Sequence, residues 1–129
     1  MQIEHLALWV HDLEGMRDFY LKYFDTTSGE KYVNPAKQFT AYFILFGEDK
    51  TRLELMTRPD IQPVTGRRGF SMGQAHFAIS VGGKEIVNAL TERLRKDNYP
   101  IFREPRTTGD GYYESVILDP EGNYLEISA

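Results

Sequence analysis

Apolar and polar residues alternate from Gln2 to Val10, placing Leu6, Leu8 and Val10 on one face of a strand and His5, Ala7 and Trp9 on the other. The alternation returns over Gln74 to Val81, where Phe77, Ile79 and Val81 oppose His76. In Arg52–Met56 and in Asn123–Ser128 the aliphatic residues likewise oppose a carboxylate, Glu54 in the first and Glu126 in the second. Leu13, Met16, Tyr20, Tyr23 and Phe24 recur at helical spacing behind Asp12, a capping residue, and predict a helix over 13–24. Ile86, Val87, Leu90 and Leu94 predict a second helix over 84–96, stopped by Asn98 and Pro100. Further strands are expected over 28–33 and 38–46, separated by an Asn34-Pro35 turn, and over 101–104 and 112–118. Gly47-Glu48-Asp49-Lys50, Thr108-Gly109-Asp110-Gly111 and Asp119-Pro120-Glu121-Gly122 supply turns.

Each half therefore reads strand, helix, strand, strand, strand. Glu4-His5-Leu6-Ala7-Leu8-Trp9-Val10 is echoed by Ala75-His76-Phe77-Ala78-Ile79-Ser80-Val81, and Leu53-Glu54-Leu55 by Leu125-Glu126-Ile127 at nearly the same offset. A repeat of about seventy residues is too long for a solenoid unit and indicates an internal duplication. Between the halves the pattern lapses over 58–73, where Pro59, Pro63, Gly66, Gly69 and Gly73 break regular structure. This stretch is expected to be a linker, with Arg67, Arg68, Phe70 and Met72 as candidate pocket lining. The expected organisation is one domain over 1–129, with modules at about 1–57 and 74–129.

At 129 residues the chain can bury one sizeable core. Its net charge of −4 and scattered basic residues give no electrostatic reason to expect nucleic acid or an anionic membrane. There is no cysteine, hence no disulfide, thiolate ligand or thiol nucleophile. No apolar run approaches the ~20 residues needed to span a bilayer. A soluble, cytoplasmic protein is expected.

The duplication makes four residues stand out as metal ligands: His5, Glu54, His76 and Glu126. Two imidazoles and two carboxylates suit a divalent ion of borderline softness, such as nickel, cobalt or zinc, with manganese or iron(II) as further options. A six-coordinate ion so held keeps two positions for water or substrate oxygens. His11 has no counterpart in the second half and is expected to be a hydrogen-bonded, partly buried residue. Trp9 shares the face of His5, and Arg52 and Met56 flank Glu54, so these are candidates to line a substrate pocket. Arg103, Arg106, Tyr112 and Tyr113 bracket a glycine-containing turn that could close over a ligand.

Three segments carry a family resemblance: His5-Leu6-Ala7-Leu8 leading to Asp12-Leu13-Glu14 and Phe19-Tyr20, Gly73-Gln74-Ala75-His76-Phe77-Ala78, and Asp119-Pro120-Glu121-Gly122-Asn123 leading to Leu125-Glu126. With these the chain resembles the vicinal oxygen chelate superfamily, which includes glyoxalase I, fosfomycin-resistance enzymes, methylmalonyl-CoA epimerase, extradiol dioxygenases and bleomycin-binding proteins. The resemblance implies an α+β fold of two βαβββ modules forming an open, incompletely closed mixed sheet around a divalent metal held by His5, Glu54, His76 and Glu126. The order His, Glu, His, Glu is similar to that of glyoxalase I, whereas the epimerase usually has Gln at the place of Glu54. The implied function is that of a lactoylglutathione lyase-like isomerase. It would act on a small molecule with adjacent oxygens by proton shuttling through a metal-bound enediolate, with Glu126 as first choice of base and Glu54 as second. At the places where bacterial glyoxalase I uses Arg and Asn to hold glutathione, this chain has Trp9 and Arg58, so the resemblance does not carry glutathione over as the substrate's thiol. The resemblance also implies a homodimer. A thiol transferase, a dioxygenase or a non-catalytic binding protein of the same superfamily are the alternatives.

Overall fold

The computed structural model describes residues 1–48 and 51–129. The chain forms two compact units, Met1–Pro63 and Val64–Ala129, each with its own open, mixed sheet and one long helix. The expected α+β class and the two βαβββ modules are what the structure shows.

In the first unit, strand β1 (His5–Trp9) runs into helix α1 (Leu13–Tyr23). Asp12 caps the helix by accepting a hydrogen bond from the Gly15 amide at 3.0 Å. Leu13, Met16, Phe19, Tyr20 and Tyr23 form its buried stripe, and Phe24 ends it in extended backbone. The strand expected over 28–33 divides into β2 (Thr26–Ser28) and β3 (Tyr32–Asn34): after the Gly29 amide donates to the Phe43 carbonyl at 2.9 Å, the pairing lapses over Glu30 and Lys31. Both pieces pair antiparallel with opposite ends of β4 (Phe39–Phe46). The expected Asn34-Pro35 turn is a single 3₁₀ turn over Pro35–Lys37, capped by the Asn34 side chain. β4 then pairs antiparallel with β5 (Arg52–Thr57), and β5 pairs parallel with β1. Of the turn expected at 47–50, Gly47 adopts a positive φ, while Asp49 and Lys50 lie outside the described residues.

The alternation read from the sequence holds in this unit. Leu8, Val10, Leu53 and Leu55 are buried beneath α1, whereas His5, Ala7 and Trp9 are exposed. His11 is exposed, not partly buried as expected. It lies two residues beyond the end of β1, past the last hydrogen bond that Val10 gives to Met56 of β5.

The second unit repeats the plan: β6 (Phe77–Ser80), α2 (Lys84–Lys96), β7 (Ile101–Thr107), β8 (Tyr113–Leu118) and β9 (Tyr124–Ser128), in the order β6-β9-β8-β7. β6 is shorter than expected, so His76 immediately precedes the strand. β7 is longer than expected because register shifts on either side of Arg103 carry it past Pro105. Helix α2 has the expected bounds but buries Val87, Leu90, Thr91 and Leu94, while Ile86 is half exposed. Thr91 takes the core place because its hydroxyl donates to the Val87 carbonyl at 2.7 Å and lies 2.7 Å from the Ser115 hydroxyl of β8. With the Thr91 proton used on Val87, Ser115 is the donor between them. Thr91→Val is expected to cost about 1–3 kcal/mol by leaving a buried hydroxyl without its acceptor. Thermal denaturation beside Ser115→Ala, which leaves Thr91 satisfied and costs less, checks this.

The stretch expected to be a linker is built into the second unit from Arg67 onward. The Asp119 carboxylate accepts from the Glu121 and Asn123 amides at 2.9 Å each and from the Asn123 side chain at 2.7 Å. Asn123 in turn accepts from Arg68 at 2.6 Å, which ties that stretch to the β8–β9 turn. Burial pushes the Asp119 carboxyl above its ordinary value, and the hydrogen bonds from Asn123 and Glu121 pull it back.

Candidate functional site

Each unit brings one imidazole and one carboxylate together by the same local device. In the parallel pair β1/β5, Ala7 lies opposite Glu54, and in β6/β9, Ala78 lies opposite Glu126. The histidine two residues earlier faces the same way. With only a methyl between, the ring reaches the carboxylate. His5 Nε2 stands 3.6 Å from Glu54 Oε2, and His76 Nε2 stands 3.2 Å from Glu126 Oε2. The glutamates are largely covered, at 16% and 18% side-chain exposure, and the histidines are open, at 40% and 46%.

In the first unit the imidazole is held from behind. His5 Nδ1 pairs with the Glu4 carboxylate, whose other oxygen pairs with Arg52. Arg52 stacks on Phe43 at 4.1 Å, and the edge of His5 meets the same ring at 5.7 Å. Such a contact on one ring nitrogen fixes the tautomer that leaves the other as a lone-pair donor. Sequence reasoning missed Glu4, although its place beside His5 was the available signal.

In the second unit the pair lies on the wall of a cavity of about 310 Å³. Its lining includes Phe70, Phe102, Tyr124, Arg103, Arg106 and Val116. Phe70, Phe102 and Tyr124 meet edge to face at 4.7–6.0 Å. Arg67 lies over Phe70 at 4.1 Å and donates to the Tyr124 hydroxyl at 3.0 Å. Burial pushes the Glu126 carboxyl above its ordinary value; His76 opposes this, Glu114 adds to it, Arg106 opposes it and Asp110 adds to it.

The other sequence candidates divide. Trp9 meets Phe39 edge-on and carries Arg58 over its ring at 5.2 Å, and Met56 lies opposite Trp9 in the strand register. Arg103 and Arg106 line the cavity of the second unit, as does Phe70. Met72 and Tyr112 are exposed, and Tyr113 donates to Asn88 of α2 at 2.9 Å rather than lining the cavity. Phe102 and Tyr124 were missed. Tyr124 was legible as the residue two before Glu126 on the same face, whereas Phe102 depended on the bulged course of β7.

Two donors on adjacent positions of one ion, each about 2.0–2.2 Å from it, stand about 2.8–3.1 Å apart in an octahedral shell and about 3.3–3.6 Å apart in a tetrahedral one. The 3.2 Å spacing lies between the two and the 3.6 Å spacing at the upper end of the tetrahedral range, so each pair fits as half of a divalent-ion site. Among the described residues no group of three or more His, Cys, Asp or Glu side chains is arranged to hold a metal ion. Among the same residues no helix is long and apolar enough to cross a membrane.

A family model described as the glyoxalase/bleomycin resistance protein/dioxygenase superfamily matches residues 2–127. Among solved structures, the chain is similar to the trypanothione-dependent glyoxalase I of Leishmania major, with 23% identity, 99% of this chain and 86% of that one covered, and a TM-score of 0.74. It is similar to glyoxalase I of Zea mays at 24% identity and a TM-score of 0.78, where 98% of this chain spans 44% of that chain. A glyoxalase family protein of Enterococcus faecalis, at 20% identity and a TM-score of 0.76, is covered over 97% of its length by 99% of this chain. These likenesses show a shared fold. No curated protein sequence matches the chain.

Proposed function

Because this chain belongs to the glyoxalase/bleomycin resistance protein/dioxygenase superfamily, we propose that it is a divalent-metal-dependent, glyoxalase I-like lyase or isomerase acting on a small molecule with oxygens on adjacent carbons. The observation that carries this reading is the duplicated His–Glu pair, His5 with Glu54 and His76 with Glu126, each at a spacing suited to neighbouring positions on one ion.

In the proposal both pairs serve one centre within a single domain over 1–129, the chain working as a homodimer in which the two modules come from one copy or from two. When bound, the ion supplies Lewis acidity, polarising a substrate carbonyl and acidifying the neighbouring C–H bond. The rest falls to the chain. Glu126 takes the proton from the carbon beside the carbonyl and returns it to the adjacent carbon, with Glu54 as the second choice of base. Burial already disfavours the charged form of Glu126, which suits a group that accepts a proton and later releases it. Glu4 holds His5 in register. Trp9, Arg52, Met56 and Arg58 are assigned to the substrate side in the first module, and Arg103 in the second. Trp9 and Arg58, with the guanidinium over the ring, stand where glyoxalase I would hold glutathione, so glutathione is left out of the proposal.

The test is elemental analysis of protein purified without chelator or affinity metal. About one nickel, cobalt or zinc per chain is expected in the wild type, lost in both His5→Ala and Glu54→Ala. A wild-type protein that takes up no metal even when it is added back would sink the reading and favour a binding protein on the same fold. Retention in Glu54→Ala with loss in His5→Ala would point instead to the three-ligand thiol transferases or dioxygenases.

A further inference from the structure

The two His–Glu pairs are supported in different ways. In the first unit His5 lies within β1, Glu4 holds its ring from behind, and the ladder continues past it, the Arg52 amide donating to the Glu4 carbonyl at 3.1 Å. In the second unit β6 begins only at Phe77, opposite Leu125 of β9. The residue in the place of Glu4 is Ala75, which has no side chain to hold an imidazole. Among the described residues the bond from the Tyr124 amide to the Ala75 carbonyl, which would match the one behind His5, is absent. The placement of His76 therefore depends on the chain before it.

That chain is held to the second sheet by side chains. Among the described residues the one backbone–backbone hydrogen bond within 66–75 runs from the Phe70 amide to the Arg67 carbonyl at 3.2 Å, and it is internal to the stretch. Arg67 donates from Nε to the Tyr124 hydroxyl at 3.0 Å, and its guanidinium lies over Phe70 at 4.1 Å and Phe102 at 5.4 Å. Arg68 donates to Asn123 at 2.6 Å. Consecutive arginines thus grip consecutive residues at the head of β9, the strand that carries Glu126. From Tyr124 the contact passes to His76 through Gly69, where a methyl group would stand 2.7 Å from the Tyr124 ring and 2.8 Å from the Ala75 carbonyl oxygen. Arg67 does not line the cavity, as the sequence had led us to expect, but stands behind its aromatic wall.

We propose that Arg67 is a positioning residue: by clasping Tyr124 it holds the stretch before His76 on the second sheet and keeps His76 facing Glu126, the task that Glu4 performs for His5. The inference rests on the proposed function only in taking that pair as half of a metal site. The hold itself needs no ion.

The experiment measures NMR backbone order parameters and the Overhauser contact between the His76 ring and the Glu126 side chain in metal-free, full-length protein, with zinc affinity by chelator competition on the same variants. Amides of residues 69–76 are expected near about 0.85 in the wild type and below about 0.6 in Arg67→Met, the values of rigid and flexible backbone. The Overhauser contact should be lost in that variant and zinc held at least about tenfold more weakly, as when a group that orients a ligating histidine is removed. Tyr124→Phe keeps the ring and removes only the acceptor, so it should reproduce much of the effect, and the double variant should be no worse than Arg67→Met. Arg67→Lys, which can still donate to the hydroxyl, should restore part of it. A merely structural role would lower the unfolding midpoint and leave the order parameters and the Overhauser contact of the native state as they are; that result overturns the proposal. So do additive effects of Arg67→Met and Tyr124→Phe, or a loosened stretch with His76 still in contact with Glu126 and zinc affinity unchanged. Should Arg67→Met fail to fold, Tyr124→Phe decides by the same measurements. A wild-type protein that takes up no zinc removes the metal reading, and the order parameters and the Overhauser contact then uphold or overturn the role of Arg67 by themselves.

Discussion

Glu126→Gln is expected to lower turnover by about 10²–10⁴-fold while most of the bound metal remains, because the amide keeps an oxygen donor at nearly the same place and loses only the ability to carry a proton. Glu126 is held for that task from several sides. Its backbone is fixed in β9 between β6 and β8, its side chain faces past the methyl of Ala78, and His76 stands 3.2 Å away. Burial, with Glu114 and Asp110 nearby, already disfavours its charged form. Glu54 has the same strand geometry without lining the cavity of the second unit, which is why it is the second choice. The measurement is turnover of α-oxo thiohemiacetals and related dicarbonyl adducts, with metal content determined on the same samples. Unchanged turnover in Glu126→Gln, with a large loss in Glu54→Gln, would reverse the two roles. Unchanged turnover in both would remove the glutamates from the chemistry.

Gly69→Ala is expected to destabilise the second unit by about 2–4 kcal/mol, combining the penalty of a left-handed backbone with overpacking. Gly69 has a φ of +74°, and a methyl group there would stand 2.7 Å from the Tyr124 ring and 2.8 Å from the Ala75 carbonyl oxygen. Neither neighbour can yield cheaply. Tyr124 is held by Arg67 through its hydroxyl and by Phe70 and Phe102 through its ring, and Ala75 leads directly into His76. The damage should therefore reach the residues that lead into His76. Gly109→Ala is the control: a Cβ there meets nothing within 4 Å on a backbone any residue adopts, so its stability should stay within about 0.5 kcal/mol of wild type. Chemical denaturation of the two variants beside wild type decides the matter, and equal midpoints for all three would show that Gly69 carries no such constraint.

Much of this protein was legible along the chain. Period-two alternation assigned the faces of β1 and β5 correctly, because those strands bury one side beneath α1 and the pattern of side chains must follow. Helical spacing located both helices to within a residue, and the echo of His5 and Glu54 in His76 and Glu126 picked out two pairs that the fold does bring together. These features depend on residues close in sequence or on adjacent strands, where geometry is nearly fixed. The sequence could not decide what depends on contacts between distant segments. Gly69 and Phe70 fall in a stretch that reads as linker because glycines and prolines around them erase periodicity; only packing against Phe102 and Tyr124 makes them a cavity wall. Ile86 and Thr91 exchange places because a hydroxyl can enter the core when a carbonyl and Ser115 receive it. Arg103 and Arg106 were two of several arginines near a turn, and only the bulged course of β7 brings both to the cavity wall beside Glu126.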